Sequence, residues 1–216
     1  MKVDFHVHTG YSIDSIIRPR DLSRKAQKLG IIPAVTDHNT MRGVAGMDAA
    51  GSRFIPGEEI KTDKGDLIGL YLSEEIPGGT SFSETLDLIH GQGGLSYLPH
   101  MYDSTRRGAV PEGDEIKRID IVEVFNARCL GQHYNEKAKE FADMHGIAGA
   151  AGSDTHFLLE FGSTYTKLPD FDISSPKALM NALPKATLVT KKAPYFVRGP
   201  TKLLSIGKKI AGAFGF

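Results

Sequence analysis

The feature that most constrains the fold is a recurring ending. Short β-type runs stop, one after another, on polar residues: "HVH" at 6–8, "TDH" at 36–38, "GEE" at 57–59, "PH" at 99–100, "VFNAR" at 124–128 and "GSDTH" at 152–156. The runs themselves fall at 2–7, 31–36, 53–60, 66–72, 95–98, 119–125, 147–152 and 187–190. Helical patterns fill most gaps. Pro19 opens one at 19–29 that stops at Gly30, and Ser81 with Glu84 forms a capping-box pattern before Leu86 and Ile89. A third covers 132–145 and ends at Gly146, and a weaker one covers 175–183. This alternation predicts a parallel α/β layout, either a closed barrel or an open doubly wound sheet. An open sheet gathers only the strand ends near its switch point, whereas a barrel gathers all of them around one axis. With nearly every run ending in a potential ligand, the pattern predicts the barrel.

The 216 residues suit one domain with a substantial core, and no repeat or linker divides them. Lysine plus arginine and aspartate plus glutamate both number 26, so no global basic footprint points to long nucleic acid. The single Cys129 cannot form an internal disulfide, and no charged-then-apolar leader precedes the first run. No apolar run reaches the roughly 20 residues of a membrane span. The expectation is a cytoplasmic protein.

In an extended strand, side chains two apart share a face, so His6 and His8 can grip one ion while Val7 points into the wall. An isolated H-x-H is equally compatible with two hydrogen-bonded histidines. Here five of the eight histidines (His6, His8, His38, His100 and His156) sit at strand ends beside Asp14, Glu59 and Asp154. Imidazole with carboxylate suits Zn, Mn or Fe. The chain shows no P-loop and no nucleophile elbow, and nothing around Cys129 activates it.

The stretches "DFHVHTGYSIDS", "VTDHNT", "PGEEI", "GGLSYLPH" and "AGSDTH", with "VEVFNAR", resemble in order and content the PHP-domain (polymerase and histidinol phosphatase) phosphoesterases. The resemblance implies a distorted (β/α)7 TIM-like barrel over residues 1–216 that holds two to three divalent ions. It places His6, His8 and Asp154 on one metal, Glu59 bridging to a second served by His100, and Asp14, His38 and His156 on a third. It also implies catalytic roles for Glu59, Asp154 and His156, with a metal-bound hydroxide attacking phosphorus. Glu59 is preferred to Glu58 because the family pattern is Gly, any residue, Glu. Where many relatives carry a histidine before an "IxGL"-like strand, this chain has Asp66, either a ligand of the second metal or a turn aspartate after Gly65.

Arg106, Arg107 and Arg128 follow strand ends where a substrate phosphate would arrive, and a guanidinium fork matches two phosphate oxygens. A solvated surface role is the alternative for each. His90, His133 and His145 lie in helical patterns away from the strand ends, Asp37 is expected to orient a neighbour, and the role of Glu123 stays open. The leading functional expectation is hydrolysis of a small phosphomonoester or short nucleotide. The alternatives are a nuclease-like or polymerase-associated module and a non-catalytic metal-binding module. An amphipathic helix is predicted at 201–214, with Leu203, Ile206 and Ile210 on one stripe. It would pack across the open side of the barrel, contact another subunit or lie on a membrane surface.

Overall fold

The computed structural model describes residues 1–197 together with 199, 201, 203, 204, 206 and 208. Seven strands form the barrel wall: β1 (Lys2–Val7), β2 (Ile32–His38), β3 (Ile55–Lys61), β4 (Asp66–Leu70), β5 (Leu95–Leu98), β6 (Ile121–Asn126) and β7 (Ala148–Gly152). They neighbour one another in sequence order, and two further strands, β8 (Tyr165–Lys167) and β9 (Thr187–Val189), extend the sheet beyond β1. The wall nearly closes. The lower half of β1 pairs antiparallel with β8, and its upper end meets the segment after β7, where Asp154 N donates to His6 O (2.8 Å) and His8 N to Thr155 O (3.0 Å). This isolated bridge in place of a regular ladder is the seam of the barrel.

The layout is not uniformly parallel, which corrects the sequence expectation. β1 to β3 and β5 to β7 pair in parallel, but β4 runs antiparallel to both β3 and β5. Only residues 62–65 separate β3 from β4, and a parallel crossover needs a dozen or more. Thr62 builds this turn: its hydroxyl donates to Gly65 O at 2.5 Å.

Helices α1 (Pro19–Leu29), α2 (Arg42–Ala49), α3 (Phe82–Gly91), α4 (Gln132–His145) and α5 (Pro176–Ala182) complete the fold. Three of them end or begin as their residues dictate. Gly30 and Gly146 close α1 and α4 in the left-handed conformation, and Ser81 caps α3 by accepting from Glu84 N (3.3 Å). α2 was missed because Gly43 and Gly46 dilute its helical pattern. Gly43 is required by space: a Cβ there would lie 1.9 Å from Asp37 Oδ2 and 2.7 Å from Thr9 Oγ1. β8, three residues long, is not among the predicted runs.

Every wall strand contributes to one apolar interior, including Val3, Phe5, Ala34, Ile55, Ile68, Tyr97, Ile121 and Ala150, and Leu179 and Leu183 close it from below. Val7 instead packs outward with Leu22, Ala26 and Met47 of α1 and α2. The register of β1 shifts between Asp4 and Val7. Such a bulge changes which parity faces inward. Phe5 can therefore fill the barrel below while His6 and His8 turn into the cluster above. β6 carries a second shift between Glu123 and Phe125, again just below the strand-end polar residues. Among the described residues no helix is long and apolar enough to cross a membrane. Of the predicted 201–214 helix, positions 201, 203, 204, 206 and 208 are helical, while Ile210 and the rest up to 214 lie outside the described residues.

Candidate metal centre

The C-terminal strand ends gather the predicted ligands into one buried cluster. Glu59 stands at its middle because the β2–β3 register sets His38 directly beside it. Its Oε2 lies 3.2 Å from His6 Nε2, 3.3 Å from His8 Nε2 and 3.1 Å from His38 Nδ1, and its Oε1 lies 2.9 Å from His100 Nε2. Asp154 Oδ1 sits 3.5 Å from His8 Nε2, 3.8 Å from His6 Nε2 and 3.3 Å from His156 Nδ1. Asp14 Oδ2 joins from the loop after β1, 3.0 Å from His156 Nε2 and 3.5 Å from His38 Nε2. Glu58 faces away and accepts from Ile76 N at 2.8 Å, as expected for neighbours on a strand.

Four overlapping sets bring their ligand atoms within 4.8 Å of one another: His8, His38 and His156; His6, His100 and Asp154; His6, His8 and Glu59; and Glu59, Asp66 and His100. Asp66 opens β4 after Gly65, and its carboxylate reaches the cluster while accepting from Arg107 Nε at 3.2 Å.

Hydrogen bonds from outside the cluster aim the imidazoles. Ser12 Oγ donates to Asp37 Oδ1 (2.9 Å), so it accepts from His8 Nδ1 (3.1 Å) and leaves Nε2 of His8 with its lone pair inward. His6 Nδ1 is held by Glu123 Oε1 (3.1 Å) and His156 Nδ1 by Asp154 O (2.8 Å), again turning Nε2 to the centre. Asp37 also accepts from Thr9 N and Thr9 Oγ1, both at 2.6 Å, so it anchors the β1 loop. Two cluster residues, His100 (φ 30°) and Asp154 (φ 55°), have left-handed backbones, a conformation that persists only where surrounding structure enforces it.

Two residues of the "VEVFNAR" stretch complete the surroundings: Glu123, whose role the sequence leaves open, and Asn126. Glu123 accepts four hydrogen bonds, from His6 Nδ1, Tyr97 Oη (3.1 Å), His100 N (2.8 Å) and Asn126 Nδ2 (2.9 Å). Asn126 Nδ2 also donates to Asp154 Oδ2 at 2.9 Å. Beyond that stretch, their sequence signal is being the polar members of the otherwise apolar strand "IVEVFN".

The arginines divide. Arg106 reaches the cluster, paired with Asp154 and donating to Asn126 Oδ1 (3.1 Å). Arg107 sits at the rim, half exposed, on Asp66 and Thr62 O. Arg128 departs from the expected phosphate contact. Its buried guanidinium donates to Glu160 Oε1 (2.9 Å), Val197 O (3.2 Å) and Thr201 Oγ1 (2.7 Å). Glu160 Oε2 in turn accepts from the amides of His156 (3.0 Å) and Phe157 (2.9 Å), so Arg128 braces the backbone behind His156. Of the helical histidines, His90 pairs with Asp120 at 2.9 Å and His145 packs on Phe141, both away from the cluster.

Electrostatics match a site for cations. Burial opposes ionisation of Glu59, but the charges of His38 and His6 hold its carboxyl well below the usual range. Burial likewise opposes ionisation of Asp154, and Arg106 and His6 overcome it. His38 is pushed up to about 10 against its burial by Glu59 and Asp14. His8 is pushed down to about 3 by burial and by His156 and His38, which keeps it neutral. The donor set fits divalent ions on a direct observation. His8 Nε2 and Asp154 Oδ1 are both buried, 3.5 Å apart, and without a hydrogen-bond partner among the described residues.

Comparison with known proteins agrees with this geometry. The PHP domain model matches residues 4–88, and the PHP-associated model matches residues 132–188. An uncharacterized protein of Methanocaldococcus jannaschii is 39% identical over 215 residues, covering 94% of this chain and 87% of that protein. Among solved structures, a two-domain protein from Bacteroides vulgatus, described as containing a predicted PHP-like metal-dependent phosphoesterase, superposes with a TM-score of 0.68 at 18% identity. The match covers 94% of this chain and 69% of that one. PsfC from Pseudomonas syringae superposes with a TM-score of 0.66 at 14% identity, covering 97% and 98%. On motif order, barrel and full-length likeness together, the chain belongs to the PHP-domain family.

Proposed function

We propose that the protein is a metal-dependent phosphoesterase that hydrolyses a small phosphomonoester or short nucleotide at the cluster above β1. The observation carrying this reading is the convergence of five imidazoles and four carboxylates on one buried point, with the unpartnered His8 Nε2 and Asp154 Oδ1 facing each other. Divalent ions there would neutralise phosphoryl charge and lower the pKa of water. His6, His8, Glu59 and Asp154 would hold a first ion, Glu59, His100 and Asp66 a second, and Asp14, His38 and His156 a third. The likeness to a two-domain protein described as containing a predicted PHP-like metal-dependent phosphoesterase supports the same class.

The protein's own groups would do the positioning. Arg106 lies beside Asp154 and Asn126, where its remaining donors can meet a phosphate oxygen at the mouth of the cluster. Ser12 and Asp37 keep the His8 ring turned inward, and Glu123 does so for His6 and for the His100 backbone. The buried cluster wall keeps bulk water from screening these charges. A panel of phosphomonoesters and dinucleotides, assayed for phosphate release with Mn²⁺, Zn²⁺ or Fe²⁺, tests the proposal. His8→Ala should remove the activity while the protein remains folded, and wild-type turnover by that variant would refute it.

A further inference from the structure

The loop that presents Asp14 is held from a distant part of the chain. Lys208 Nζ donates to three of its carbonyls: Gly10 O (3.0 Å), Ser12 O (2.7 Å) and Ser15 O (2.8 Å). An ammonium has three protons, and all three are used. Asp14 lies between these contacts. On its inner side the same loop is tied by Ser12 Oγ to Asp37 and by Ser15 Oγ to His8 O (3.2 Å) and His156 O (3.1 Å).

The arm that delivers Lys208 starts on the other side of the seam. Ala193 N donates to Ala127 O (2.8 Å), and Val197 packs with Phe125, Ala127 and Ala151. Arg128 then grips Val197 O and Thr201 Oγ1. The described residues 201, 203, 204, 206 and 208 are helical, and seven helical steps of 1.5 Å from Thr201 to Lys208 amount to about 10 Å. Two strand spacings, from β6 past β7 to β1, are also about 10 Å. The arm therefore has the length to cross the seam, where β1 meets the segment after β7 through an isolated bridge and not a regular ladder.

We infer that the C-terminal arm straps the β7–β1 seam and that Lys208 is a positioning residue, its ammonium fixing the loop so that Asp14 meets His38 and His156. The reading of those three side chains as a metal site comes from the proposed function, whereas the strap stands on its own geometry. The strap makes loop order and metal affinity depend on a residue nearly two hundred positions away.

The test uses the full-length protein and two variants, Lys208→Met, which keeps length and removes the donors, and Lys208→Arg, which keeps charge and donors. Hydrogen exchange on metal-free protein reads the loop directly through the amides of Gly10 and Ser12, which bond to Ile17 O and Thr9 O. In Lys208→Met these amides should exchange about tenfold faster or more, while amides in β3 and β6 keep their protection. Mn²⁺ titration should show one equivalent weakened about tenfold or more, as loss of a group supporting a ligand does, with the others unchanged. Lys208→Arg should lie closer to wild type on both readouts. Unchanged loop exchange in Lys208→Met, or a uniform loss of protection across the barrel, would overturn the strap. Faster loop exchange with every Mn²⁺ affinity unchanged would overturn the positioning of Asp14. A wild type that takes up no Mn²⁺ would refute the metal reading, and the exchange result would still decide the strap.

Discussion

Arg128→Met replaces a buried guanidinium with a shorter, unbranched apolar side chain that has no donors. Its partner Glu160 is fully buried and would keep two backbone donors, His156 N and Phe157 N, but lose its counter-charge. Breaking a buried ion pair from one side costs about 3–5 kcal/mol, because the remaining charge is left uncompensated. For a domain of this size each kcal/mol moves Tm by about 2–4 °C, so Tm should fall by about 6–20 °C. Circular dichroism melts of metal-free protein measure this without a contribution from bound ions. Adding Glu160→Gln should recover part of the loss, since the amide oxygen can still accept from His156 N while the stranded charge is gone. An unchanged Tm with a raised KM for phosphorylated substrates would refute the argument and return Arg128 to the substrate side.

Asp66→Ala should lose close to one metal equivalent by elemental analysis, with Asp66→His retaining more than Ala, since the other ligand sets do not use Asp66. Full occupancy in Asp66→Ala would leave it a turn residue. Glu58 is pushed up to about 7 by burial and by Glu75, against its bond from Ile76 N. A raised carboxyl favours the folded state while protonated, so this contribution is complete below about 4.5 and is lost as pH rises through 7. Urea unfolding should therefore show Glu58→Gln more stable than wild type at pH 8, with the gap closing toward pH 4.5, and a gap independent of pH would contradict this. Gly43→Ala would push its Cβ against Asp37 and Thr9, and should loosen the Ser12–His8 relay. Metal retention during gel filtration should drop, and wild-type retention would show that Asp37 has room to move.

Much of the site was legible because its chemistry is local to strand ends. His6 and His8 announce themselves by spacing, and "TDH", "GEE", "PH" and "GSDTH" each mark where a strand opens onto the cluster. Glu59 could be told from Glu58 by the family pattern, with parity setting the two on opposite faces, and Glu58 indeed turns toward Ile76. What parity could not show is the pair of bulges in β1 and β6, since a register shift leaves no residue signature in "DFHV" or "EVF". Gly43 concealed α2 because the close approach that demands glycine comes from Asp37, a residue of another element. Arg128 looked like a phosphate ligand because its motif sits at a strand end, and only the tertiary structure supplies Glu160 as its partner. Lys208 had no local signal at all, since its acceptors are backbone carbonyls at the opposite end of the chain. The antiparallel β4 was readable from the short 62–65 connection, which excludes a crossover helix.

In the proposed function the histidine and carboxylate cluster holds divalent ions, and phosphate-ester hydrolysis depends on them. The most direct measurement is a titration of metal-free protein with Mn²⁺ in which bound metal per chain and phosphate release are read on the same samples, beside Asp154→Asn. Metal-dependent hydrolysis at the cluster predicts about two to three bound ions, with release rising only as the sites fill, and fewer ions and no release in Asp154→Asn. Phosphate release that persists without metal, or wild-type protein that binds none, would contradict it.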